Sequence, residues 1–386
     1  MSDLAPQPLA TPAPVREYVL KVASRCNLDC DYCYEYHHGD ETWRLSRKLI
    51  SPEIYEEVAR KIATHSKTHG LNFVSVALHG GEPLLLGDKR LARIASTLRR
   101  TIEVTGTHLT LNMQTNGLLI TDAIAEVIRD QEINVGISLD GGRSANDRHR
   151  LDHSGKSSYE RVLAGIETLR RIAPERASGI LSVIDIQNDP IETFDSLAAL
   201  GLSSIDFLLP HYNWNRPPPG HDGVEAPYGE WLGAIWNAWI NGRHSDVRIR
   251  FLDNIVARLV GHPGLYEQMS DAPVQLITIN PNGDFEGVDT LKSTGSGVQK
   301  TGLNITRHDI DEVLLHPLYA FRQDWQKALP TACVNCSIKS ICTGGYIPHR
   351  FKSETGFNNP SVYCRDIQHI VGMVETTVRE SVGKSV

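Results

Sequence analysis

Six short, mostly apolar runs recur between residues 16 and 210, each separated from the next by a segment of helical length. They read "REYVLKVAS", "LNFVSVALHGGEP", "HLTLNMQTNG", "INVGISLDGG", "GILSVID" and "SIDFLLP". Apolar runs without clean alternation are the pattern of strands covered on both faces, so the expectation is an α/β fold with a parallel sheet layered by helices. Helices are expected at 51–70, 88–101, 121–130, 157–172 and 190–200, the first marked by Ser51 as cap and Pro52 at its first position. Polar or glycine-bearing breaks follow the strand ends at Cys26, Gly80, Asn116, Asp140, Asp185 and His211, the end at which βα-barrel enzymes carry their chemistry.

With 386 residues the chain can bury a large core, and length alone suggests about two or three domains, with two as the starting expectation. The net charge of -7 comes with Arg and Lys dispersed along the chain, so no basic field attracts a polyanion and nucleic acid is not expected. Residues 1–14, with four prolines, read as a flexible leader and lack the basic head and apolar core of a signal peptide. No stretch has the length and apolarity of a membrane span, so no membrane is expected and the cytoplasm or another reducing compartment is. Seven cysteines, an odd number in tight groups, fit metal ligation there better than a disulfide framework.

After the sixth strand, "HYNWNRPPPGHDGVEAP" breaks the rhythm as a lid or a solvent loop, and "YGEWLGAIWNAWING" reads as an amphipathic core helix. "VQLITINPNGDFEGVDTLKS" then reads as a hairpin turning at Asn-Gly, followed by a short helix at 311–319 and a second cysteine group. The expected division is a leader at 1–14, a first domain at 15–240, a linking helical region at 241–270 and a second domain at 271–386.

"VASRCNLDCDYCYEY" places Cys26, Cys30 and Cys33 just after the first strand. A Cys-x-x-Cys redox pair leaves Cys26 without a role. Zinc takes three cysteines and a histidine, and His37 and His38 are near. A [4Fe–4S] cluster on three thiolates leaves one iron open to a small molecule, and spacing alone does not choose between the metals. Cys26-x3-Cys30-x2-Cys33, with Tyr32 before the last, resembles the signature of the radical S-adenosylmethionine (radical SAM) enzymes. That resemblance implies a partial (β/α)6 barrel in which S-adenosylmethionine chelates the open iron and is cleaved to a 5′-deoxyadenosyl radical.

Gly80 and Gly81 remove side chains where backbone must approach a ligand, and Glu82 offers an acceptor for an ammonium group. After a second strand, "HGGEP" resembles the superfamily motif that holds the methionine amino group. "LNMQTNG" at 111–117 and "SLDGG" at 138–142 either present hydroxyl, amide and carboxylate groups to the ribose and methionine carboxylate or, at Asn116-Gly117 and Asp140-Gly141, are simply turns. The resemblance carries Ser138 into the cofactor pocket, with Gln114 and Asp140 beside it. Arg143, Arg148 and Arg150 are either carboxylate ligands or solvated charges.

Cys333, Cys336, Cys342 and Cys364 suffice for a complete metal centre, structural zinc or a [4Fe–4S] cluster by spacing alone. "CVNCSIKSIC" resembles the SPASM or twitch extension of peptide-modifying radical SAM enzymes, an α+β domain, and so implies an auxiliary cluster. The larger SPASM pattern has further cysteines, one where Tyr346 stands and others around "NPNGDFEGVD", and none occurs here. Two [4Fe–4S] clusters, one binding S-adenosylmethionine and one auxiliary, are therefore expected.

"RCNLDCDYCYEYHHGDETWR", "VDTLKSTG" and "GGYIPHRFKSETGFNNPSVYC" look like a narrower set, the radical SAM maturases of ribosomally made peptides of the FxSxx, XYE and glycine-rich-repeat types. Similarity to that set implies β-hydrogen abstraction from a precursor peptide and crosslinking of the carbon to an aromatic ring, forming a cyclophane. β-Hydroxylation, thioether formation, epimerisation and sulfatase-type maturation are the alternatives. A reducing donor such as flavodoxin or ferredoxin would be a partner. Rearomatisation needs a base, for which Asp289, after the hairpin, and His211, after the sixth strand, are candidates by placement. "HYNWN" is a further expectation, as a peptide clamp through Trp214, and the hairpin edge near 275–289 as a strand acceptor.

Overall fold

The computed structural model describes residues 12–264 and 267–383, so most of the expected leader lies outside the described residues. Along the chain come β1 (Glu17–Ala23), α1 (Pro52–Thr68), β2 (Phe73–Gly80), α2 (Asp88–Glu103), β3 (His108–Thr115), α3 (Asp122–Asp130) and β4 (Ile133–Ser138). They are followed by α4 (Arg143–Asp147), α5 (Tyr159–Ile172), β5 (Ala177–Val183), α6 (Pro190–Ala198), β6 (Ser204–Leu208), α7 (Pro227–Ile240), β7 (Arg248–Ile249) and α8 (Arg250–Leu259). Next are β8 (Leu276–Ile279), β9 (Asp284–Glu286) and β10 (Lys300–Asn304), and a long helix runs from Cys364 to Gly383. The expected helix at 311–319 is two short ones, Ile310–Leu314 and Pro317–Ala320, because Pro317 cannot donate to the preceding turn. No described helix is long and apolar enough to cross a membrane.

The chain forms two compact units, each discontinuous in sequence, so no single cut separates them. The first comprises residues up to Ser138, Asp147–Gly179 and Val274–Gln323. In its sheet β1 pairs in parallel with β2 (Tyr18 opposite Val76), β2 with β3 (Val76 opposite Leu111) and β3 with β4 (Met113 opposite Val135). On the other side β1 pairs in parallel with β8, which turns back antiparallel into β9, and β9 pairs with β10. Both edges of the 275–289 hairpin are thus covered within its own sheet, and it has no open edge for a guest strand.

The strands of this unit are not covered alike on both faces. Val74, Val76, Leu78, Leu109, Leu111, Met113, Ile133, Val135 and Ile137 are buried, against helices whose inner stripes include Leu91, Ile94 and Leu98 of α2. The alternate positions include the half-buried polar Ser75, His79, Thr110, Asn112, Gln114, Asn134 and Ser138, and Asn134 Nδ2 donates to Asn112 Oδ1 at 3.3 Å while Asn112 Nδ2 donates to Ser75 Oγ at 2.9 Å. Small polar residues at every second position mark a face that lines space rather than core.

The second unit comprises Leu139–Asn146, Ile180–Pro273 and residues from Asp324 onward. Here β5, β6 and β7 pair in parallel, with Ser182 opposite Phe207 and Ile205 opposite Ile249. The tryptophan-rich α7 is a core helix: Trp231 and Trp236 are buried, and their indole N–H groups donate to Asn188 O (2.9 Å) and Thr377 Oγ1 (3.2 Å). Asp366, at the start of the last helix, accepts from the N–H groups of Tyr228 and Gly229 at 2.8 and 3.0 Å, satisfying the first turn of α7.

Candidate active site

The loop after β1 carries Cys26, Cys30 and Cys33, all half-buried and none in a disulfide. A turn brings the last two together, with Cys33 N donating to Cys30 O at 3.0 Å. Burial, reinforced by Glu82 and Cys30, pushes the Cys26 thiol up to about 12, and burial with Cys30 raises Cys33 as well. Three thiols in mutual electrostatic contact resist ionising together unless a cation joins them, which is the condition of a metal or iron–sulfur ligand set. The loop is tied down from β3, where Asn116 Nδ2 donates to Asn27 Oδ1 at 2.7 Å and lies 3.7 Å from Cys26 Sγ. Arg150 Nη1 donates to Tyr32 Oη at 2.8 Å and His153 Nε2 lies 3.1 Å from Cys26 O. Asn116 read as a turn residue in the sequence, and nothing local distinguished it.

Gly80 and Gly81 are required by protein packing as well as by any ligand. A Cβ on Gly80 would lie 2.0 Å from Ala23 O, and one on Gly81 would lie 2.1 Å from Tyr36 Oη and 2.3 Å from Arg25 O. In their place Gly81 N donates to Ala23 O and Glu82 N to Arg25 O, both at 2.9 Å. The buried Glu82 carboxylate accepts from Leu84 N (2.9 Å) and Thr115 Oγ1 (2.7 Å) through Oε1, and from Asn116 N (2.9 Å) through Oε2. Burial raises its pKa while these donors and Arg150 oppose the rise. Gln114 and Ser138, on the half-buried face of β3 and β4, are brought together, with Gln114 Nε2 donating to Ser138 Oγ at 2.8 Å. Asp140 belongs to the second unit, and its Oδ1 accepts from Val183 N at 3.0 Å, clipping its segment to β5.

Asp289 lies in the first unit, with the Cys26–Cys33 loop, inside a buried charge network invisible to local sequence reading. Its Oδ2 accepts from Tyr34 Oη at 2.7 Å and sits 3.3 Å from Lys21 Nζ. Lys21 also pairs with Glu35 and, at 3.2 Å, with Glu286, while Lys292 Nζ reaches Glu35 at 2.6 Å and Glu286 at 3.7 Å. Burial alone would raise the Asp289 pKa, but Lys21, His79, the Tyr34 hydroxyl and Lys292 hold it well below the usual carboxylate range. His79, opposite Lys21 in the β1–β2 register, is held neutral by burial although Asp289 opposes this. Lys21, Glu35, Glu286 and Lys292 also line a cavity of about 220 Å³ rimmed by Trp43 and Phe285. The one sequence signal for this network was a lysine inside the apolar run "YVLKVA".

In the second unit Cys333, Cys336, Cys342 and Cys364 line one cavity, with Gly344, Pro360 and Ser361. Burial and the neighbouring Cys364 and Cys333 push Cys342 up to about 12, so this thiol set fits a cation-centred group by the same criterion. His211 is half-buried, its ring 5.9 Å from Tyr346 and 5.8 Å from His349, and His349 packs 4.9 Å from Tyr363. Trp214 is pinned rather than free to clamp: its indole donates to Pro360 O at 2.8 Å and its N–H to Phe351 O at 3.0 Å.

One further ligand-like cluster joins His65, His69 and Asp311. Val15 N donates to His65 Nε2 at 3.1 Å, which leaves the proton on Nδ1, 2.9 Å from the Asp311 carboxylate. That tautomer makes the group a proton-mediated contact, since Nδ1 has no lone pair for a metal.

These features describe an α/β fold that sets a three-cysteine loop beside a glycine-rich loop. Residues 20–198 match the Radical SAM superfamily. A serine-type anaerobic sulfatase-maturating enzyme of Klebsiella aerogenes is 26% identical over 349 residues, covering 90% of this chain and 82% of that protein. A cysteine-type anaerobic sulfatase-maturating enzyme of Clostridium novyi is 23% identical, with 90% and 91% covered. Among solved structures, anSMEcpe with bound AdoMet and Cp18Cys peptide superposes with a TM-score of 0.81 at 18% identity, covering 96% of this chain and 99% of that one. Streptococcus suis SuiB bound to precursor peptide SuiA gives 0.59 at 17%, covering 93% and 77%. The segment at 20–198 is that of a radical SAM iron–sulfur enzyme, in a chain with a (β/α) barrel-like core and a C-terminal α+β region, similar to sulfatase maturases in sequence and to SuiB in fold.

Proposed function

We propose that the chain oxidises a side chain of a peptide or protein at its β-carbon. When bound, a cluster on Cys26, Cys30 and Cys33 together with S-adenosylmethionine supplies a 5′-deoxyadenosyl radical that removes one hydrogen atom from that carbon. Glu82 would hold the methionine ammonium at Oε2, which takes one hydrogen bond from the protein, and Gln114 and Ser138 would flank the cofactor. Completing the oxidation requires loss of one proton and one electron.

Asp289 carries this reading. Its Oδ2 is fixed by Tyr34 and Lys21, its side chain stays 15% exposed, and Oδ1 makes no hydrogen bond among the described residues, so an ionised oxygen is available to take the proton. His211 stands in the second unit, among Tyr346 and His349, and would position its surroundings. In this reading 15–240 generates the radical, 271–386 houses an auxiliary cluster that takes the electron, and 241–270 links them. Flavodoxin or ferredoxin would supply the starting electron, and Asp140 would act through β5.

The sequence relatives favour sulfatase-type oxidation of a serine or cysteine side chain. The cyclophane reading keeps one observation in its favour: seven cysteines, with Tyr346 at one position and none in the region of "NPNGDFEGVD" where a second auxiliary ligand set would need thiols, leave the chain short of the larger SPASM pattern. Co-expression with a precursor peptide from a neighbouring small reading frame, compared with a serine-bearing sulfatase peptide, separates the two. Both outcomes remove two hydrogens from the peptide, but a serine aldehyde reacts with a hydrazide probe and a ring crosslink does not. No mass change on either peptide with full 5′-deoxyadenosine production would overturn β-carbon oxidation.

A further inference from the structure

Arg350 is a buried cation with no carboxylate partner among the described residues. Its residue is 5% exposed, Nε donates to Phe357 O at 3.0 Å and Nη2 donates to Ala328 O at 2.8 Å. The third nitrogen, Nη1, lies 3.6 Å from where a Cβ on Gly344 would stand, and Gly344 lines the four-cysteine cavity. Taking a guanidinium out of water is expensive unless negative charge compensates it. Cys333 and Cys342, on the wall of that cavity, are the groups whose negative charge, as thiolates, would act on Arg350.

On the reading that Cys333, Cys336, Cys342 and Cys364 hold an iron–sulfur cluster, we propose that Arg350 sets the potential of that centre, making it an electron acceptor. A buried cation beside the thiolates favours the form carrying one more negative charge, the reduced form, and so raises the reduction potential; net charge and hydrogen bonds are the known levers on such potentials. Solvent-exposed charges cannot substitute. Lys339, which lines the same cavity, is exposed with Nζ on Val334 O at 2.6 Å, and Arg365 is exposed, so water and salt screen both. Asp366, the nearby anion, is committed to the N–H groups of Tyr228 and Gly229. Gln368 adds a weaker push in the same direction, its Nε2 lying 4.0 Å from Cys336 Sγ. Arg350 is a positioning residue here, acting on the substrate only through the centre it biases.

The test is an anaerobic redox titration of the reconstituted holoenzyme followed by electron paramagnetic resonance, after counting iron and sulfide. The signal that S-adenosylmethionine perturbs belongs to the Cys26–Cys33 cluster and serves as an internal control. Arg350→Gln should shift the equilibrium of the other centre toward its oxidised form at least tenfold, about 59 mV for one electron, and leave the control signal in place. Arg350→Lys, with its charge on a shorter stem, should fall between wild type and Arg350→Gln. An unchanged midpoint in Arg350→Gln with full iron overturns the inference. If that variant loses iron, Arg350→Met, of similar length and without charge, decides: a lowered midpoint supports it and a wild-type midpoint overturns it. A wild-type protein with zinc, or with iron for one cluster only, overturns the cluster reading instead.

Discussion

Lys21 Nζ lies 3.3 Å from Asp289 Oδ2, joining the middle of β1 to a carboxylate more than two hundred residues away in sequence. Because Lys21 also meets Glu35 and Glu286, it shares with Lys292 a cluster of three carboxylates held side by side. Replacing it with Met should destabilise the fold by about 3–5 kcal/mol, the usual consequence of stripping one partner from a buried ion pair. Chemical denaturation of the apoprotein measures this, and a loss below 1 kcal/mol would mean that the carboxylates neutralise themselves by binding a proton.

Asp289→Asn removes the proton acceptor without altering the shape of the side chain. Cleavage of S-adenosylmethionine to 5′-deoxyadenosine should persist while modified peptide falls by roughly 10²–10⁴-fold, the range of a lost general base. Equal losses of both products would point to a structural role for this residue.

Gly81→Ala places a methyl group within 2.3 Å of Arg25 O and closer still to Tyr36 Oη. Backbone cannot yield there without moving the start of the cysteine loop, so this variant should retain about half of its reconstituted iron, having lost the cluster on Cys26, Cys30 and Cys33. Full iron content with normal S-adenosylmethionine binding would count against it.

The fold should weaken in mild acid. Burial, aided by His211, holds the His349 pKa well below the ordinary value near 6.5, so the unfolded chain binds a proton that the folded one refuses. The stability contributed by neutral His349 is complete above that unfolded value and is lost as pH falls through it toward the folded one. Across that window His349→Phe should reduce the slope of stability against pH by up to about 1.4 kcal/mol per unit, leaving a remainder because burial lowers His65, His79 and His316 in the same way. Parallel wild-type and variant curves between pH 5 and pH 7 would remove His349 from this account.

The six βα repeats were legible because local apolar runs, caps and glycine breaks specify them one at a time. The alternation of β2, β3 and β4 was obscured because Ser75, Asn112 and Asn134 are small polar residues among large apolar ones, and only pairing across strands shows that they share a face. The helix from Cys364 to Gly383, β7 and β10 went unread, and α8 was read only as a helical region at 241–270. Tertiary contacts made by Gly229 and Gly233 of α7 define where the first of these packs, and β7 is two residues long. Cysteine spacing exposed both thiol groups, since ligands to one centre cluster in sequence. The partners of Asp289 and Arg350 come from distant segments, and no spacing rule reaches them.

The two main-chain bonds from Gly81 and Glu82 to Ala23 and Arg25 splice the glycine-rich loop to the root of the cysteine loop. The two loops therefore move as one piece, and the distance between the Glu82 carboxylate and the thiols is fixed by backbone before any ligand arrives. A cofactor bridging them meets a preorganised seat, so little of its binding energy is spent on ordering the protein.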